Sequence, residues 1–451
     1  MNKSLIRKYN VPGPRYTSYP TVPYWDEKPP TEEQWKGKVN ATFQNSRKEG
    51  LSIYIHLPYC ESLCTYCGCN TRITVNHAVE EPYINTLLKE WQMYRDLLGE
   101  APLIKEIHLG GGTPTFFSPD NLKRLIGTIV NSGKVGSETE MSFEAHPNNT
   151  TAEHMQVLYD LGFRRISLGI QDFDPAVQEI VNRVQPFEKV EEVTRQAREI
   201  GYTSVNFDLI YGLPKQSAET VADTIRKTIR LMPDRIAFYS YAHVPWMKPA
   251  QKMFEQHLPT HEVKRNLYEL GKSMLEDQGY YEIGMDHFAL KTDSLYLASQ
   301  QGKLHRNFMG YSTNATKLLV GLGASSISDT WTAFGQNIKS VEPYMQCVND
   351  GRLPVYRGHL LNEEDLMVRQ HILNIMCRSH TEWSRESAEA EVLNYAMSRL
   401  QEMAQDKIVE LDQDSIRVYE NGKPFIRNVC MALDLRMWRK KPETTLFSST
   451  I

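Results

Sequence analysis

The feature that most constrains this chain is a run of four cysteines packed into residues 60–69. They are Cys60, Cys64, Cys67 and Cys69, whereas Cys347, Cys377 and Cys430 lie far away in the sequence. Directly before the run, residues 51–56 alternate apolar and polar side chains, a pattern that predicts a β-strand. The cysteines therefore follow the C-terminal end of a strand, the edge at which α/β folds and barrels carry their chemistry.

The spacing of the first three cysteines suits a soft metal centre. Thiolates separated by three and then two residues can converge, whereas Cys69 projects to the other side of an extended backbone. A structural zinc ion would require four protein ligands. A [4Fe–4S] cluster held by three cysteines leaves one iron open to a small molecule. We therefore expect a cluster on Cys60, Cys64 and Cys67, with zinc and disulfide bonds as the alternatives.

This cysteine spacing resembles that of the radical S-adenosylmethionine (SAM) superfamily. In that comparison Tyr66 stands where the family has an aromatic residue that packs on SAM. An ordinary core aromatic is the alternative interpretation of Tyr66.

The composition excludes several broad classes of protein. Of 451 residues, 41% are apolar and 24% are charged, which is typical of a globular chain with one large and one smaller domain. The net charge of −4 argues against a general nucleic-acid or membrane-surface partner, and no apolar run is long enough to span a bilayer. The N-terminal residues lack an apolar signal, and the odd, clustered cysteines do not resemble a secreted disulfide framework. We therefore expect a cytoplasmic protein.

Strand-like and helix-like segments alternate between residues 51 and 245. The predicted strands are 51–56, 104–109, 140–145, 165–170, 203–209 and 236–242, and the predicted helices include 80–98, 119–131, 152–161, 186–200 and 217–231. Six such repeats indicate an α/β fold whose parallel sheet curls into an incomplete (β/α)6 barrel. We expect the barrel and its extension to occupy residues 51–340.

The flanking regions have different patterns. Residues 1–50 carry four prolines between positions 12 and 23, which favours an extended arm that either wraps the surface or covers an active site. Residues 341–451 should form a mainly helical domain, with a helix from Asn362 to Cys377, a helix over 382–406 and a hairpin over 408–419. This resembles a winged-helix module, interpreted as a packing lid because no basic recognition helix is present. A solvated helix face is expected for Arg427, Arg436, Arg439, Lys440 and Lys441.

Several predicted strands end in residues that suit ligand binding. Gly110, Gly111 and Gly112 follow the second strand, where a triple glycine exposes backbone groups to a close ligand. The next three strands end in Glu144, Gln171 and Asp208, and Arg183 follows on a short helix. Parallel strands deliver their C-terminal residues to one mouth, so we expect a shared polar pocket.

Three later stretches suit either a ligand or the core. Tyr239, Tyr241 and Trp246 near the sixth strand could wall a flat ligand or pack internally. Residues 305–313 and the glycine-punctuated 318–327 could place backbone beside a ligand or form buried strands with their turns.

Taken together, these residues resemble the oxygen-independent coproporphyrinogen III oxidases of haem biosynthesis over nearly the whole chain. The motifs are Pro-Arg15-Tyr-Thr-Ser-Tyr-Pro, the cysteine run through Cys69, Gly110-Gly-Gly-Thr-Pro-Thr, Leu168-Gly-Ile-Gln171-Asp-Phe, Val181-Asn-Arg183, Asp208-Leu-Ile-Tyr-Gly-Leu-Pro, Tyr241-Ala-His and His305-Arg-Asn-Phe308. The Arg15 arm and the extra Cys69 are narrower signals than the superfamily motif.

The resemblance implies a set of site residues. It places the cluster on Cys60, Cys64 and Cys67, with Cys69 close by but not a ligand, and two SAM molecules in one mouth. The positions that match SAM contacts are Tyr54, Tyr66, Gly111, Gly112, Thr113, Glu144, Gln171, Arg183, Asp208, Ala242 and Ile327. Arg15 and Cys69 are further catalytic candidates. Met309 and Ser312 depart from the family, which often has Gln and Thr there, and Met cannot make the hydrogen bonds of Gln.

The resemblance also implies a reaction. A 5′-deoxyadenosyl radical takes a hydrogen atom from a propionate of coproporphyrinogen III, and loss of CO2 and one electron leaves a vinyl group. Two such conversions give protoporphyrinogen IX. The implied partners are this substrate and an electron donor such as flavodoxin or ferredoxin, with no nucleic acid, no membrane and a monomeric protein. The alternatives are another radical SAM reaction on a tetrapyrrole, such as haem ring opening or methyl transfer, and a haem-carrying relative.

Overall fold

The computed structural model describes residues 3–384, 389–440 and 446–450. A twelve-stranded sheet runs through the molecule in the order β12-β11-β10-β9-β1-β2-β3-β4-β5-β6-β8-β7. Its strands are β1 Leu51–Leu57, β2 Ile104–Gly111, β3 Glu140–Ala145, β4 Arg165–Gln171, β5 Ser204–Tyr211, β6 Arg235–Ser240, β7 Tyr280–Ile283, β8 His287–Leu290, β9 Leu318–Leu322, β10 Ile327–Asp329, β11 Ala333–Asn337 and β12 Val355–Leu360. The sheet is open, because its end strands β12 and β7 are not paired with each other.

The helices alternate with the strands through the first half of the chain. They are α1 Lys3–Tyr9, α2 Glu32–Asn45, α3 Glu80–Leu98, α4 Pro119–Ser132, α5 Ala152–Asp160, α6 Pro175–Ile180, α7 Phe187–Ile200, α8 Ala218–Leu231, α9 His261–Glu276, α10 Ser294–Gln300, α11 Val341–Asn349, α12 Glu363–Arg378, α13 Glu389–Gln405, α14 Ile426–Leu433 and α15 Leu435–Arg439. No helix of the described residues is long and apolar enough to cross a bilayer.

The parallel part of the sheet confirms the predicted barrel. Strands β1 to β6 lie side by side in chain order and are all parallel. On one face of β1, Leu51, Ile53, Ile55 and Leu57 are fully buried, and on the other face Ser52 and His56 are buried and Tyr54 is partly buried. A seventh parallel strand, β9, adds to the other side of β1 with Leu318 opposite Leu51. Residues 318–327 are therefore a buried strand and the turn that follows it.

The N-terminal region is less extended than its prolines indicate. Residues 10–21 form an irregular arm, but α1 precedes it and α2 follows it. Thr31 begins α2 with a capping box that Gln34 completes, a sequence signal strong enough to override the preceding Pro29-Pro30. On α2, Trp35 is fully buried in the core of the barrel, and its ring fills the space beside Gly335.

The C-terminal region combines helices with a small three-stranded sheet. Asn362 caps α12 as expected, and strands Val409–Leu411 and Ser415–Val418 form the predicted hairpin. A third strand, His380–Glu382, pairs with the hairpin, so the start of the helix expected over 382–406 is wrong. The described part of that helix is α13, and residues 385–388 and Lys441 lie outside the described residues.

The expectation that Arg427 lies on a solvated helix face is wrong. Its side chain on α14 is 4% exposed and donates hydrogen bonds to the carbonyl oxygens of Pro14 at 2.8 Å, Ser449 at 3.1 Å, Thr450 at 3.2 Å and Gly13. Four backbone carbonyls satisfy a guanidinium that sequence alone places in water, because the arm and the residues near 449 converge on it. Arg427 therefore ties the arm to the C-terminal region.

We predict that Arg427→Ala loosens the arm. The variant leaves four carbonyls without their charged donor, and water can replace the guanidinium only in part. We expect the free energy of unfolding to fall by about 3 kcal/mol. Amide hydrogen exchange in residues 9–20 should be faster in the variant than in the wild-type protein, whereas exchange in β1 should not change. The midpoint of thermal unfolding should fall. Arg230→Ala, which removes an exposed ion pair with Glu191, is the matched control. Unchanged exchange in the arm would show that Arg427 does not hold it.

Candidate functional site

A cavity of about 670 Å³ opens at the C-terminal ends of β1 to β6. Successive strands contribute Gly111, Glu144, Gln171, Asp208 and Tyr239 to its wall. Most of the residues proposed from the sequence line it, namely Cys60, Cys64, Tyr66, Cys67, Cys69, Gly111, Gly112, Thr113, Glu144, Gln171, Arg183 and Asp208. The shared polar pocket is therefore present, as the strand ends of a parallel barrel predict.

Three of the proposed SAM positions lie outside the wall of this cavity. Tyr54 lies behind it, stacked on His108 and hydrogen-bonded to His56 at 3.1 Å. The Ala242 carbonyl accepts a hydrogen bond from Gln251, which also donates to the Tyr66 carbonyl. Ala242 thus adjoins the cysteine loop.

Ile327 packs elsewhere. It contacts the aromatic cluster built on Trp25 and Phe334, together with Phe308. Phe308 and Met309 form the turn of a short hairpin, His305–Asn307 with Gly310–Ser312. Ser312 donates a hydrogen bond to the buried Glu106.

The cysteine loop is held by backbone contacts on both sides. The N–H of Thr74 binds the carbonyl of Cys60, and that of Thr65 binds the carbonyl of Val181 just after α6. Asn182 donates to the Leu63 carbonyl at 2.8 Å. The loop is therefore fixed by segments that follow β1 and β4, and the cysteines do not need a disulfide to be placed.

The cysteine chemistry fits a cluster better than the alternatives. All seven cysteines are free thiols. Among the described residues, no three His, Cys, Asp or Glu side chains converge as ligands of one metal ion. Cys60, Cys64 and Cys67 nevertheless line the same cavity, as suits a cluster in which each thiolate binds a separate iron.

Cys69 behaves differently from these three thiols. Hydrogen bonds from its thiol and its backbone N–H lower the pKa of Cys67 to about 6. The same contact raises the pKa of Cys69 well above that of a free thiol. Lys248 holds the carbonyl of Cys69 at 3.0 Å.

Glycine is required where β2 meets the loop. A Cβ atom on Gly112 would lie 2.6 Å from the backbone of Pro58, and Gly111 has φ of 116°. A side chain at either position would push β2 away from the cysteine loop. The Gly111 N–H donates a hydrogen bond to the Glu144 carboxylate at 3.2 Å and so holds this carboxylate at the cavity wall.

Arg183 provides a partly buried positive charge beside the thiols. One terminal nitrogen lies 3.5 Å from the Cys64 sulfur and the other donates to the Gly169 carbonyl. Its Nε has no hydrogen-bond partner among the described residues. A buried guanidinium N–H without a partner is costly, so this site is suited to an anionic group of a ligand.

The two carboxylates of the cavity are tuned in opposite directions. Burial alone raises the pKa of Glu144, but the His108 imidazole and the Gly111 N–H bring it below the usual value. Burial, with the nearby Glu144 charge, raises the pKa of Asp208 to about 6 despite hydrogen bonds from Ser167 and Asn206. Asp208 is thus fixed in orientation by two donors and still faces the cavity.

Gln171 is held in an unusual backbone conformation. Its φ is 67°, and the register between β4 and β5 shifts between Gly169 and Gln171. Such irregularities turn a side chain toward a site at a cost that the surrounding fold must cover.

Sequence reasoning missed some residues of the wall. His146 and Ser167 line the cavity, and burial followed by the Arg183 charge lowers the pKa of His146 to about 3. His146 lies two residues beyond Glu144, so the strand-end rule could have found it. Of the three aromatics proposed near the sixth strand, Tyr239 at the end of β6 lines the cavity, whereas Tyr241 packs with Phe254 and Trp246 is half exposed.

Arg15 lies outside the main cavity. Its guanidinium donates to the Ser240 carbonyl at 2.7 Å and is 3.8 Å from the Asp286 carboxylate, at the end of β6. Asp286 also binds His287, whose other ring nitrogen is 3.4 Å from the Tyr239 hydroxyl. The arm therefore contacts the far side of the wall that Tyr239 presents to the cavity.

Comparison with known proteins places these features in a family. Residues 54–228 match the model of the radical SAM superfamily. The chain is 37% identical to the oxygen-independent coproporphyrinogen III oxidase of Helicobacter pylori, with 95% of each chain covered. It is 35% identical to the enzyme of that name from Escherichia coli, with 99% of this chain and 98% of the other covered.

A solved structure agrees with the sequence relatives. The fold matches the Escherichia coli coproporphyrinogen III oxidase HemN, a radical SAM enzyme, with a TM-score of 0.89 and 33% identity over 96% of this chain and 98% of that one. Radical SAM proteins use a [4Fe–4S] cluster and SAM, which the three cavity thiols and the partly buried Arg183 fit. The chain belongs to the oxygen-independent coproporphyrinogen III oxidase family of radical SAM enzymes.

Proposed function

We propose that this protein converts two propionate side chains of coproporphyrinogen III to vinyl groups, giving protoporphyrinogen IX in haem biosynthesis. The observation that carries the proposal is the cavity in which three thiols of one loop face Arg183, Glu144 and Asp208. Relatives that share nearly the whole chain are named for this activity. Each conversion removes CO2, one hydrogen atom and one electron from the substrate.

The cluster is assigned to Cys60, Cys64 and Cys67, with Cys69 as a hydrogen-bond donor and not a ligand. When bound, the cluster and SAM supply a radical that can take a hydrogen atom from an unactivated carbon. Lys248 and Asn182 keep the loop in place through its backbone. Behind the site, the residues of β1 are buried except for the partly buried Tyr54, so the cavity is closed on that side.

The remaining wall residues are assigned to SAM. Arg183, whose Nε lacks a protein partner, suits the carboxylate of SAM. The Glu144 carboxylate and the backbone of Gly111 and Gly112 suit its amino group, and the fixed Asp208 with Gln171 suits ribose hydroxyls. Tyr66 and Thr113 complete this set, with Tyr54 behind it.

A second SAM molecule is part of the proposal. Ala242 and Ile327 suit the faces of an adenine. Ala242 adjoins the cysteine loop, and Ile327 packs in the aromatic cluster that includes Phe308 of the hairpin. Met309 stands on that hairpin and offers no side-chain hydrogen bond, so a second molecule would be held by the backbone and by apolar contact.

The arm is assigned to the substrate. We assign residues 1–50 as the arm, 51–340 as the barrel with its extension and 341–451 as the C-terminal domain, with Arg15 offering its guanidinium to a substrate carboxylate. Ile6, Tyr9, Tyr16 and Tyr19 pack in a core shared with the C-terminal helices. Deleting the arm would open that core, so Arg15→Met, read out as an increase in KM for porphyrinogen, is the cleaner test. A monomer served by a flavodoxin- or ferredoxin-like donor completes the proposal.

Anaerobic turnover tests the function directly. We expect protein reconstituted with iron and sulfide, given SAM and a strong reductant, to convert coproporphyrinogen III to protoporphyrinogen IX, identified by mass after oxidation. Cleavage of SAM should depend on the substrate. Tight haem binding with no change in porphyrinogen would identify a carrier instead, and a methylated or ring-opened product would identify another radical SAM reaction.

We predict that Cys60→Ala, Cys64→Ala and Cys67→Ala each prevent assembly of the complete cluster. Loss of one thiolate leaves an iron without a protein ligand, and broad visible absorption with about four irons per chain should be lost. Cys69→Ala should retain the iron, since its thiol serves only as a donor. Full cluster content in any of the first three variants would contradict the ligand assignment.

We predict that Arg183→Met weakens SAM binding roughly 30-fold or more while the cluster absorption persists. The variant removes the cation from a buried carboxylate site, and losing one partner of such a pair costs a few kcal/mol. Arg195→Met, which removes an exposed pair with Glu199, is the control. If SAM affinity is unchanged, Arg183 serves the thiols alone.

A further inference from the structure

Arg306, like Arg183, has buried guanidinium nitrogens that lack a hydrogen-bond partner among the described residues. Arg306 lies on the hairpin strand His305–Asn307 and is 8% exposed. Its Nε and one terminal nitrogen have no hydrogen-bond partner among the described residues. The other terminal nitrogen donates to the Arg15 carbonyl at 3.3 Å, and the guanidinium lies 4.4 Å from the centre of the Tyr311 ring. One carbonyl and one ring do not satisfy a group with five N–H donors.

A neighbouring arginine shows what a structural partner looks like at this place. Arg369 borders the same small cavity but donates to both carboxylate oxygens of Asp329 and to the Trp331 carbonyl. Its charge is fully compensated. Arg306 therefore has no carboxylate partner comparable to the one that Asp329 provides for Arg369.

The position of Arg306 indicates which anion it could bind. The cavity beside it is lined on one side by arm residues 16–19, which directly follow Arg15. Asp286 and the wall residue Tyr239 are near enough to interact electrostatically with Arg306. The Asp286 carboxylate itself contacts His287 at 2.8 Å and Arg15 at 3.8 Å. Arg15 and Arg306 therefore have this one carboxylate in their neighbourhood where the arm meets the barrel.

We propose that Arg306 binds a carboxylate of the tetrapyrrole substrate beneath the arm, as a substrate-positioning residue distinct from Arg15. The inference rests on the proposed function, because a substrate with four propionates supplies carboxylates beyond those that react. The cavity beside Arg306 has a volume of about 20 Å³, so arm residues 16–19 have to shift before the unpaired N–H groups of Arg306 can receive the carboxylate. The two arginines then hold the substrate on opposite sides of the arm backbone at residue 15.

Equilibrium binding of the reduced substrate tests this assignment. Cluster-loaded wild-type protein and Arg306→Met are dialysed anaerobically against coproporphyrinogen III, which is quantified afterwards as the fluorescent porphyrin. We expect the variant to bind roughly 30-fold more weakly or worse. The neutral tetra-amide of the same substrate should bind both proteins equally, since it carries no carboxylate. SAM affinity and the cluster absorption should not change.

Thermal unfolding separates this role from a structural one. Replacing an unpaired buried charge by an apolar side chain of similar size is neutral or stabilising, so Arg306→Met should keep or raise the unfolding midpoint. Arg369→Met, which leaves Asp329 unpaired, should lower it. Arg306→Gln provides a second variant with a polar side chain. A lowered midpoint in both Arg306 variants, or unchanged affinity for coproporphyrinogen III in either, overturns the proposal.

The behaviour of the wild-type protein distinguishes a failure of the proposed function from a failure of the carboxylate site at Arg306. Turnover by wild-type protein, with no loss of affinity in Arg306→Met, refutes the carboxylate site and leaves the proposed function standing. If wild-type protein neither binds nor converts coproporphyrinogen III, the proposed function and this inference fail together.

Discussion

The arrangement of this molecule depends on the double pairing of β1. The strand is hydrogen-bonded in parallel to β2 on one side and to β9 on the other, and Leu51, Ile53, Ile55 and Leu57 are fully buried on one of its faces. A strand held in this way cannot slip, because a shift of one residue would turn these apolar side chains to the opposite face. The cysteine loop begins where β1 ends, so the positions of the thiols follow from that register. Gly112 then lets β2 approach the same loop closely.

The barrel could be predicted from the sequence because its information is local. Alternating apolar residues, helix caps such as Asn362 and the spacing of the cysteines each depend on a few neighbours. Successive strand ends meet by topology, so Glu144, Gln171 and Asp208 could be brought together without coordinates. His146 was not among the expected residues because it lies one residue past the end of β3, although the same rule extended two residues beyond Glu144 includes it. The rule gave no sign that the backbone of Gln171 has positive φ.

The arm and the C-terminal region could not be predicted in the same way. Arg427 looks like a surface residue in its own helix, yet it is buried because carbonyls more than 400 positions away in the sequence reach it. Tyr9 and Tyr16 likewise belong to a core that combines five buried side chains of residues 6–24 with side chains from the last third of the chain. Contacts of this kind leave no periodic pattern in the sequence, since the residues around one partner do not indicate which distant residue it contacts.

The two regions meet at a place where charge is not balanced, and this links the fold to its chemistry. A folded protein normally pairs its buried guanidinium groups, as Arg235 with Asp293 and Arg369 with Asp329 show. Among the described residues, the arginines with unpartnered buried nitrogens are Arg183, beside the thiols, and Arg306, beneath the arm. Both lie next to surfaces assigned to carboxylate-bearing ligands. The free energy lost by leaving these groups unpaired is returned when an anion binds, so stability is exchanged for affinity at the two positions where the reaction needs it.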